Sequence, residues 1–191
     1  MGQNIWKDGI IGLMVGDALG VPVEFSSRED REHDPVIGMR AYGTHNQPAG
    51  TWSDDSSMTL ATLDSIKQKG KIDYKDIMDK FTEWCLYADY TPFQEVFDIG
   101  VATSRAIIQY GKGTDPIDCG GKTEWDNGNG SLMRILPVCL YLYNRQKMIC
   151  TSENESIYLI HNVSALTHAH LRSQIACGIY YFMVKSVISR E

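Results

Sequence analysis

Helical spacing of apolar residues is the feature that most constrains this 191-residue sequence. Ile77, Phe81 and Trp84 lie three or four residues apart, which places their side chains on one face of an α-helix. The clearest run comes last and consists of Leu171, Ile175, Ile179, Phe182, Met183 and Val187. No segment alternates β-branched and polar residues between turn signals, so any sheet must be minor. We therefore predict an all-α fold of roughly seven helices.

Residues that typically begin and end helices support the prediction of separate helices. Asp54 and Asp73 precede helical runs and are predicted N-caps, whereas Gly70 is a predicted stop. Two irregular connections, at residues 21–52 and 111–130, separate the helical runs. Long connections of this kind are more often functional than accidental.

Charge and composition exclude several classes of protein. Eighteen Lys and Arg residues against 24 Asp and Glu give a formal net charge of −6, the wrong sign for neutralising nucleic-acid phosphates. The 5 cysteines are odd in number and include no C-x-x-C pair, so we expect reduced thiols in a cytoplasmic protein. No apolar run reaches the ~20 residues of a membrane span, and the first one lacks the basic leader of a signal peptide. We predict one domain over residues 1–191, with no nucleic-acid or membrane partner.

Small and acidic residues near the N-terminus form the first segment that could carry chemistry. Gly12, Gly16 and Gly20 share one helical face, where they permit close backbone approach. A tight helix crossing is favoured there over a ligand contact. Glu24 follows among apolar residues, where it is either an ordinary surface acid or a site residue.

The second segment gathers hydroxyl and carboxylate oxygens ahead of a helix, at Ser53, Asp54 and Asp55. Such oxygens suit Mg²⁺, Ca²⁺ or Mn²⁺. Adjacent carboxylates repel unless a cation or hydrogen-bond donors neutralise them. The alternative is a plain Asp N-cap with a second acid that favours the helix dipole.

Two further segments lie in the second half. Residues 126–134 form a glycine-rich loop in which backbone N–H groups and Arg134 could cradle a phosphate, with an ordinary Asn-Gly turn as the alternative. His168 and His170 open the last helix and are weak evidence for zinc without two further ligands. We expect one histidine to cap the helix or pack. The other faces a pocket, as a hydrogen-bond donor or as an acid or base.

Taken together and in this order, these segments resemble the ADP-ribosylglycohydrolase family, which includes the dinitrogenase-reductase-activating glycohydrolases. The matching motifs are residues 16–25 (GDALGVPVEF), 50–56 (GTWSDDS), 97–100 (FDIG), 128–134 (GNGSLMR) and 167–170 (THAH). The resemblance extends over essentially the whole chain. It implies an orthogonal multi-helix single domain whose cleft binds two Mg²⁺ ions, or Mn²⁺ in some members. It also implies an enzyme that removes ADP-ribose from modified side chains or related conjugates.

The resemblance also implies roles for particular residues. The family's metal triplet falls on Ser53, Asp54 and Asp55, and its glutamate beside the metal centre and the scissile bond falls on Glu24. Glu24, Asp54 and Asp55 are therefore the implied catalytic residues. The implied contacts to the substrate are Asn129, Gly130, Ser131, Met133 and His168.

The chemistry of glycoside hydrolysis fits these residue types. Breaking an N- or O-glycosidic bond at ribose needs a stabilised oxocarbenium-like transition state and an activated water, which Mg²⁺ and carboxylates can supply. We predict a Mg²⁺-dependent hydrolase acting on ADP-ribosylated proteins or small ADP-ribose conjugates, with a water near Glu24 as the nucleophile. The alternatives are a catalytically incomplete module that binds ADP-ribose or a related nucleotide, and a purely structural helical domain.

One part of the family pattern is missing. Family members carry a second set of metal ligands, an Asp-x-Asp-Thr-like motif near the C-terminus, whereas here only Glu153, Glu155 and Glu191 follow Asp126. At most one half-site for metal is evident, as expected for the N-terminal portion of the family's domain. The chain is then a truncated gene product, one completed by another polypeptide or a swapped partner, or a degenerate member that binds without hydrolysis. Missing helices would expose apolar surface, so we predict an oligomer or a completing C-terminal polypeptide.

Overall fold

The computed structural model describes residues 4–149 and 152–189, which form an all-helical protein. Its α-helices are α1 (Ile5–Gly20), α2 (Arg28–His33), α3 (Asp54–Lys69), α4 (Tyr74–Tyr87), α5 (Val101–Gly111), α6 (Leu136–Ile149), α7 (Glu153–Ala165) and α8 (Leu171–Ile188). Short 3₁₀ turns lie at Val21–Val23, Pro116–Asp118 and Glu124–Asp126. These residues contain no strand, only an isolated β-bridge between Gly121 and His168. The predicted all-α class is confirmed.

The helix count differs from the sequence prediction because of one short element. α2 lies inside the connection at residues 21–52 and has no buried residue, so it has no apolar face for periodicity to detect. It forms because Ser27 and Asp30 make a capping box. The Ser27 hydroxyl accepts from the Asp30 N–H at 3.0 Å, and the Asp30 carboxylate accepts from the Ser27 N–H at 3.1 Å.

The helix ends confirm two of the three predicted caps. Asp73 caps α4 by accepting a hydrogen bond from the Asp76 N–H at 3.1 Å, and Gly70 ends α3 with a left-handed φ of 67°. The prediction that Asp54 is an N-cap is wrong. Ser53 occupies that position, since its hydroxyl accepts from the Asp55 N–H at 3.3 Å.

The helices pack around one main core. α3 packs against α1, α4 and α6, and α7 packs against α8. α6 links these helices, because it also contacts α1, α7 and α8. Large side chains at the centre of this core include Met58, Phe81, Trp84, Val138, Leu142, Ile160, Leu166 and Tyr181. A smaller cluster joins α1 to α6 and α8 through Ile10, Leu140 and Ile188.

The last helix forms as predicted but buries a different face. The apolar residues that predict α8 are all exposed, with Ile175 at 45% and Val187 at 70% of their surface. Cys177, Gly178 and Tyr181 of the same helix are buried instead. The helix therefore presents an apolar surface outward, and the predicted oligomer or completing polypeptide stays a prediction.

The glycines of α1 do not do what the sequence predicts. A Cβ added at Gly12, Gly16 or Gly20 would meet no atom within 4 Å among the described residues, so the expected tight helix crossing is wrong. The face is open because α1 makes its buried contacts through other positions, among them Ile10 and Ala18.

Close approach occurs instead at other glycines, among them Gly120 and Gly121 in the connection at residues 111–130. A Cβ at Gly120 would lie 2.2 Å from the Ala165 carbonyl oxygen and 2.8 Å from the His168 nitrogen. The Gly120 N–H donates to the Ala165 carbonyl at 3.0 Å, and the Ala169 N–H donates to the Gly121 carbonyl at 3.0 Å. These contacts fix the turn that carries His168.

Two remaining predictions concern cysteines and membranes. Cys85, Cys119, Cys139 and Cys177 are free thiols, while Cys150 and Glu191 lie outside the described residues. No helix in the described ranges is both long and apolar enough to cross a membrane.

The glycine contacts predict opposite effects for two matched substitutions. Gly120→Ala should lower the free energy of unfolding by about 1–3 kcal/mol, because the new methyl group meets backbone atoms that cannot easily move. Gly12→Ala, in an open helix interior, should leave the free energy of unfolding unchanged or raise it by roughly 0.5–1 kcal/mol. Urea denaturation of both variants measures the difference, and equal effects would contradict the contacts described for Gly120.

Candidate active site

A single carboxylate from α1 organises the beginning of α3. Asp17 Oδ2 accepts hydrogen bonds from the backbone N–H groups of Ser53 and Ser56, both at 3.0 Å. The hydroxyl groups of the same serines donate to Asp17 Oδ1 and Oδ2 at 2.8 and 2.6 Å. The first N–H groups of a helix lack partners within the helix, and the dipole there favours a negative charge. Asp17 therefore fixes the first turn of α3 against α1.

The two aspartates of that turn lie in a cluster of carboxylates. Asp54 is only 6% exposed, and burial raises its pKa to about 8, with neighbouring acids as the second cause. These neighbours are Asp55, Asp98, Asp17 and Glu24. Burial, followed by three of the same acids, raises the pKa of Asp55 to about 6. The fold thus brings together five carboxyl groups that repel one another; we call them the acidic cluster.

Two members of the acidic cluster meet at one imidazole. His45 Nε2 donates to Glu24 Oε2 at 2.6 Å and lies 3.9 Å from Asp98 Oδ2. The His45 ring lies beside the rings of Phe25 and Phe97, with centroid distances of 6.0 and 5.3 Å. Phe25 and Asp98 have φ values of 62° and 56°, a left-handed conformation that side chains with a Cβ rarely adopt. Backbone strain of this kind is concentrated at functional sites.

The acidic cluster fits a metal ion. Within the described ranges, His45 is the only basic side chain with a nitrogen atom within 4 Å of a carboxylate oxygen of the acidic cluster. One carboxylate oxygen of Glu24 and one of Asp98 lie within 4.8 Å of each other, close enough to share an ion. Carboxylate oxygens suit hard divalent cations, and a cation would neutralise charges that are costly to bury together.

The cluster opens into a hollow of about 410 Å³, which we call the cleft. Seven of the residues singled out from the sequence line the cleft: Glu24, Asp54, Asp55, Asn129, Gly130, Met133 and His168. An adjoining hollow of about 390 Å³ shares Glu24, Asp55 and Asp98 and also includes Asp17 and Ser53. The structure therefore brings the acidic segment and the glycine-rich loop together, although about 75 residues separate them in the chain.

Two residues singled out from the sequence are engaged elsewhere. Ser131 is fully buried and shares a hydrogen bond with the Ser164 hydroxyl at 2.8 Å, so its side chain does not line the cleft. The Ser53 hydroxyl donates to Asp17 and accepts from the Asp55 N–H, which leaves one lone pair free for a metal.

The histidines divide their roles as predicted. His170 caps α8, since its Nδ1 accepts from the Arg172 N–H at 3.2 Å. His168 is 3% exposed and lines the cleft, and burial lowers its pKa to about 4. A Cβ at Gly130 would lie 2.6 Å from His168 Cε1, so only glycine lets the loop approach this ring.

Sequence reasoning gave no role to three residues of this site. Asp17 is an isolated acid in an apolar helical stretch, a signal that a charged side chain has a buried partner. Asp98 lies in a recognised motif but was not assigned a function. His45 lies in an irregular connection that offers no pattern, so only the fold reveals its contact with Glu24.

The acids that follow Asp126 do not extend the cluster. Glu153 pairs with Lys185, and Glu155 Oε1 lies 3.7 Å from an Arg145 nitrogen. In the described part of the chain, these two glutamates therefore do not join the acidic cluster.

A larger hollow of about 580 Å³ lies between α1, α6 and α8. Leu136, Leu140 and Val184 are typical of its lining, and Asp8 is the one carboxylate among its described residues. Apolar walls without converging polar groups do not support catalysis. The cleft is the candidate active site because the acidic cluster and the glycine-rich loop meet there.

The family assignment follows from these features and from comparison with known proteins. The family model described as ADP-ribosylglycohydrolase matches residues 6–191. The chain belongs to the ADP-ribosylglycohydrolase family.

Individual relatives show how far the similarity extends. The chain is 33% identical over 165 residues to the ADP-ribosylarginine hydrolase Tri1 of Pseudomonas putida, covering 85% of this chain and 41% of that protein. It is 31% identical over 190 residues to the ADP-ribosyl-[dinitrogen reductase] glycohydrolase of Rhodospirillum rubrum, covering 93% of this chain and 56% of that one. A solved ADP-ribosylglycohydrolase-related protein complex matches with a TM-score of 0.75 and 29% identity, over 97% of this chain and 56% of that chain. The chain thus spans about half the length of these relatives.

The repulsion within the acidic cluster predicts that one substitution stabilises the metal-free protein. At pH 9 in EDTA, Asp54→Asn should raise the melting temperature, because it removes a buried charge without changing the shape of the side chain. A gain of roughly 2–4 °C is expected for each 1 kcal/mol recovered. Asp89→Asn, an exposed position, is the matched control and should change little. Calorimetry that shows a lower melting temperature for Asp54→Asn would contradict the repulsion.

Proposed function

We propose that this chain provides the acidic and nucleotide-binding part of a Mg²⁺-dependent ADP-ribosylglycohydrolase. Its substrates are ADP-ribosylated proteins, with arginine as the modified side chain, or small ADP-ribose conjugates. One observation carries the proposal: the cleft joins Glu24, Asp54 and Asp55 to Gly130 and His168 in a single hollow. The hollow is within the range of sizes that ligand sites have.

The loop side of the cleft suits the phosphates and ribose of ADP-ribose. The backbone N–H groups of Gly128, Asn129 and Gly130 donate to no backbone acceptor in the described residues. Such N–H groups in a loop bind anions without adding a positive side chain. An acidic protein can hold a pyrophosphate in this way.

The acidic side suits the reaction centre. The hydrogen bond from His45 holds the Glu24 carboxylate in place, so Glu24 can accept a proton from a water molecule. A divalent cation held by Asp54 and Asp55 would neutralise their charges and polarise an oxygen bound to it. The remaining carboxylates favour the positive charge that develops on the ribose ring in the transition state.

Arginine fits this side of the cleft as the leaving group. The guanidinium cation carries a charge opposite to that of the acidic cluster, which would attract it. During hydrolysis the bond between ribose C1′ and the guanidine nitrogen breaks, the water oxygen bonds to C1′, and a proton passes to the guanidine. That two relatives are named ADP-ribosylarginine hydrolase also supports this choice.

Release of free ADP-ribose from an arginine-ADP-ribosylated protein tests the proposal. With Mg²⁺ the chain should release ADP-ribose, and with EDTA it should not. The rate of release should fall by roughly 100-fold or more in each of the variants Glu24→Gln, Asp54→Ala and Asp55→Ala. The control variant Asp89→Asn should release ADP-ribose at the rate of the unmodified chain.

Other outcomes separate the proposal from its alternatives. Release that survives both EDTA and the two aspartate substitutions would overturn the metal assignment. Binding of ADP-ribose without any release would replace the hydrolase with a nucleotide-binding module.

A further inference from the structure

Arg134 is a buried cation that the proposed reaction does not use. It lies just before α6, is 0% exposed, and its Cζ atom is 4.7 Å from the centre of the Phe81 ring. In the described part of the chain it has no carboxylate partner, and its Nε and Nη1 atoms have no hydrogen-bond partner. Burying a charge in this way is costly, so the contacts that Arg134 does make need an explanation.

Those contacts lead to the turn between α7 and α8. Arg134 Nη2 donates to the Val163 carbonyl at 3.2 Å and to Thr167 Oγ1 at 2.7 Å. Thr167 Oγ1 lies 2.9 Å from His168 Nδ1. The three side chains form a hydrogen-bonded series that begins in the core and ends at the cleft.

The chemistry of the donors sets the direction of this series. Arginine can only donate, so Thr167 Oγ1 accepts from Arg134 and has its own proton left to give. His168 Nδ1 is the acceptor within reach of that proton. With a proton on Nδ1, Thr167 Oγ1 would accept from both Arg134 and His168, and its own buried proton would lose this acceptor. The other ring nitrogen, Nε2, therefore carries the proton of the neutral imidazole.

The protonated nitrogen faces the loop that lines the cleft. An added Cβ would lie 3.0 Å from His168 Nε2 at Gly130 and 3.7 Å from it at Gly128. Both glycines line the cleft beside His168. The N–H of Nε2 is therefore directed to the place where a ligand would lie against the loop.

The charges around the ring also keep it neutral. Burial is the main cause that lowers the pKa of His168, and the Arg134 cation adds to it, whereas Asp126 acts in the opposite direction. Asp126 Oδ1 is itself 3.6 Å from an Arg105 nitrogen, which offsets part of its charge. A neutral imidazole offers one N–H donor and one acceptor nitrogen.

We propose that Arg134 and Thr167 are positioning residues that fix His168 as a neutral hydrogen-bond donor at Nε2. In that state His168 selects an acceptor on the ligand, such as a phosphate or ribose oxygen. The identity of this ligand rests on the proposed function, but the state of the ring does not.

The state of the ring can be measured without any ligand. Nitrogen-15 NMR of the free protein at pH 7 should show His168 with Nε2 protonated and Nδ1 unprotonated, assigned by loss of the signals in His168→Gln. Thr167→Ser keeps the hydroxyl and should keep this pattern. Thr167→Val keeps the shape but removes the hydroxyl, and should give a mixture of the two tautomers.

Affinity for free ADP-ribose gives a second readout. Thr167→Val should weaken binding by about 10-fold, equivalent to about 1.4 kcal/mol, while Thr167→Ser should bind as the unmodified chain does. A charged ring, or a proton on Nδ1, in the unmodified chain overturns the proposal, and that result does not depend on whether Thr167→Val folds. An unchanged tautomer in folded Thr167→Val also overturns it. The predicted NMR pattern without ADP-ribose binding would leave the role of Thr167 standing and refute the proposed function.

Discussion

The contact between Asp17 and the first turn of α3 is the interaction on which the site depends. Two backbone N–H groups and two hydroxyl groups of α3 donate to this carboxylate. The helix therefore begins at a fixed place on α1, and Asp54 and Asp55 are held at its N-terminus. Without that carboxylate, the unpaired N–H groups of the turn would have to find water or another partner. The buried position of Asp54 follows from this anchoring rather than from the helix propensity of its sequence.

The charges in the cleft are divided between its two sides. The acidic cluster repels itself when no cation is present, and the rigid fold rather than local attraction keeps it together. On the other side, His168 is a neutral donor and the loop offers backbone N–H groups. A nucleotide with a pyrophosphate can approach such a loop, but the acids would repel it unless a cation lies between them. This separation is the reason why the proposed site combines a divalent cation with a glycine-rich loop.

Local patterns in the sequence predict the helices and several of their ends, because Asp73 and Gly70 act on neighbouring residues. They also single out the Ser-Asp-Asp segment as a candidate metal site, because its three oxygen-bearing side chains are adjacent in the chain. They fail where partners are distant: Asp17 and Ser53 are 36 residues apart, and His45 and Glu24 are 21 apart. The glycines of α1 mislead for a related reason, since spacing shows where close packing is allowed and not where it occurs. The outward apolar face of α8 shows the same limit, because periodicity identifies an apolar face without identifying what covers it.

Binding of Mn²⁺ tests the central claim most directly. It is measured by electron paramagnetic resonance as a decrease in the signal of the unbound ion. The account predicts that the chain binds Mn²⁺ and that Mg²⁺ displaces it. Replacing either the Asp17 anchor (Asp17→Asn) or the carboxylate that it positions (Asp54→Asn) should weaken binding by at least 10-fold. The account is contradicted if the unmodified chain binds no Mn²⁺ at millimolar concentration, or if both variants bind it as tightly as the unmodified chain.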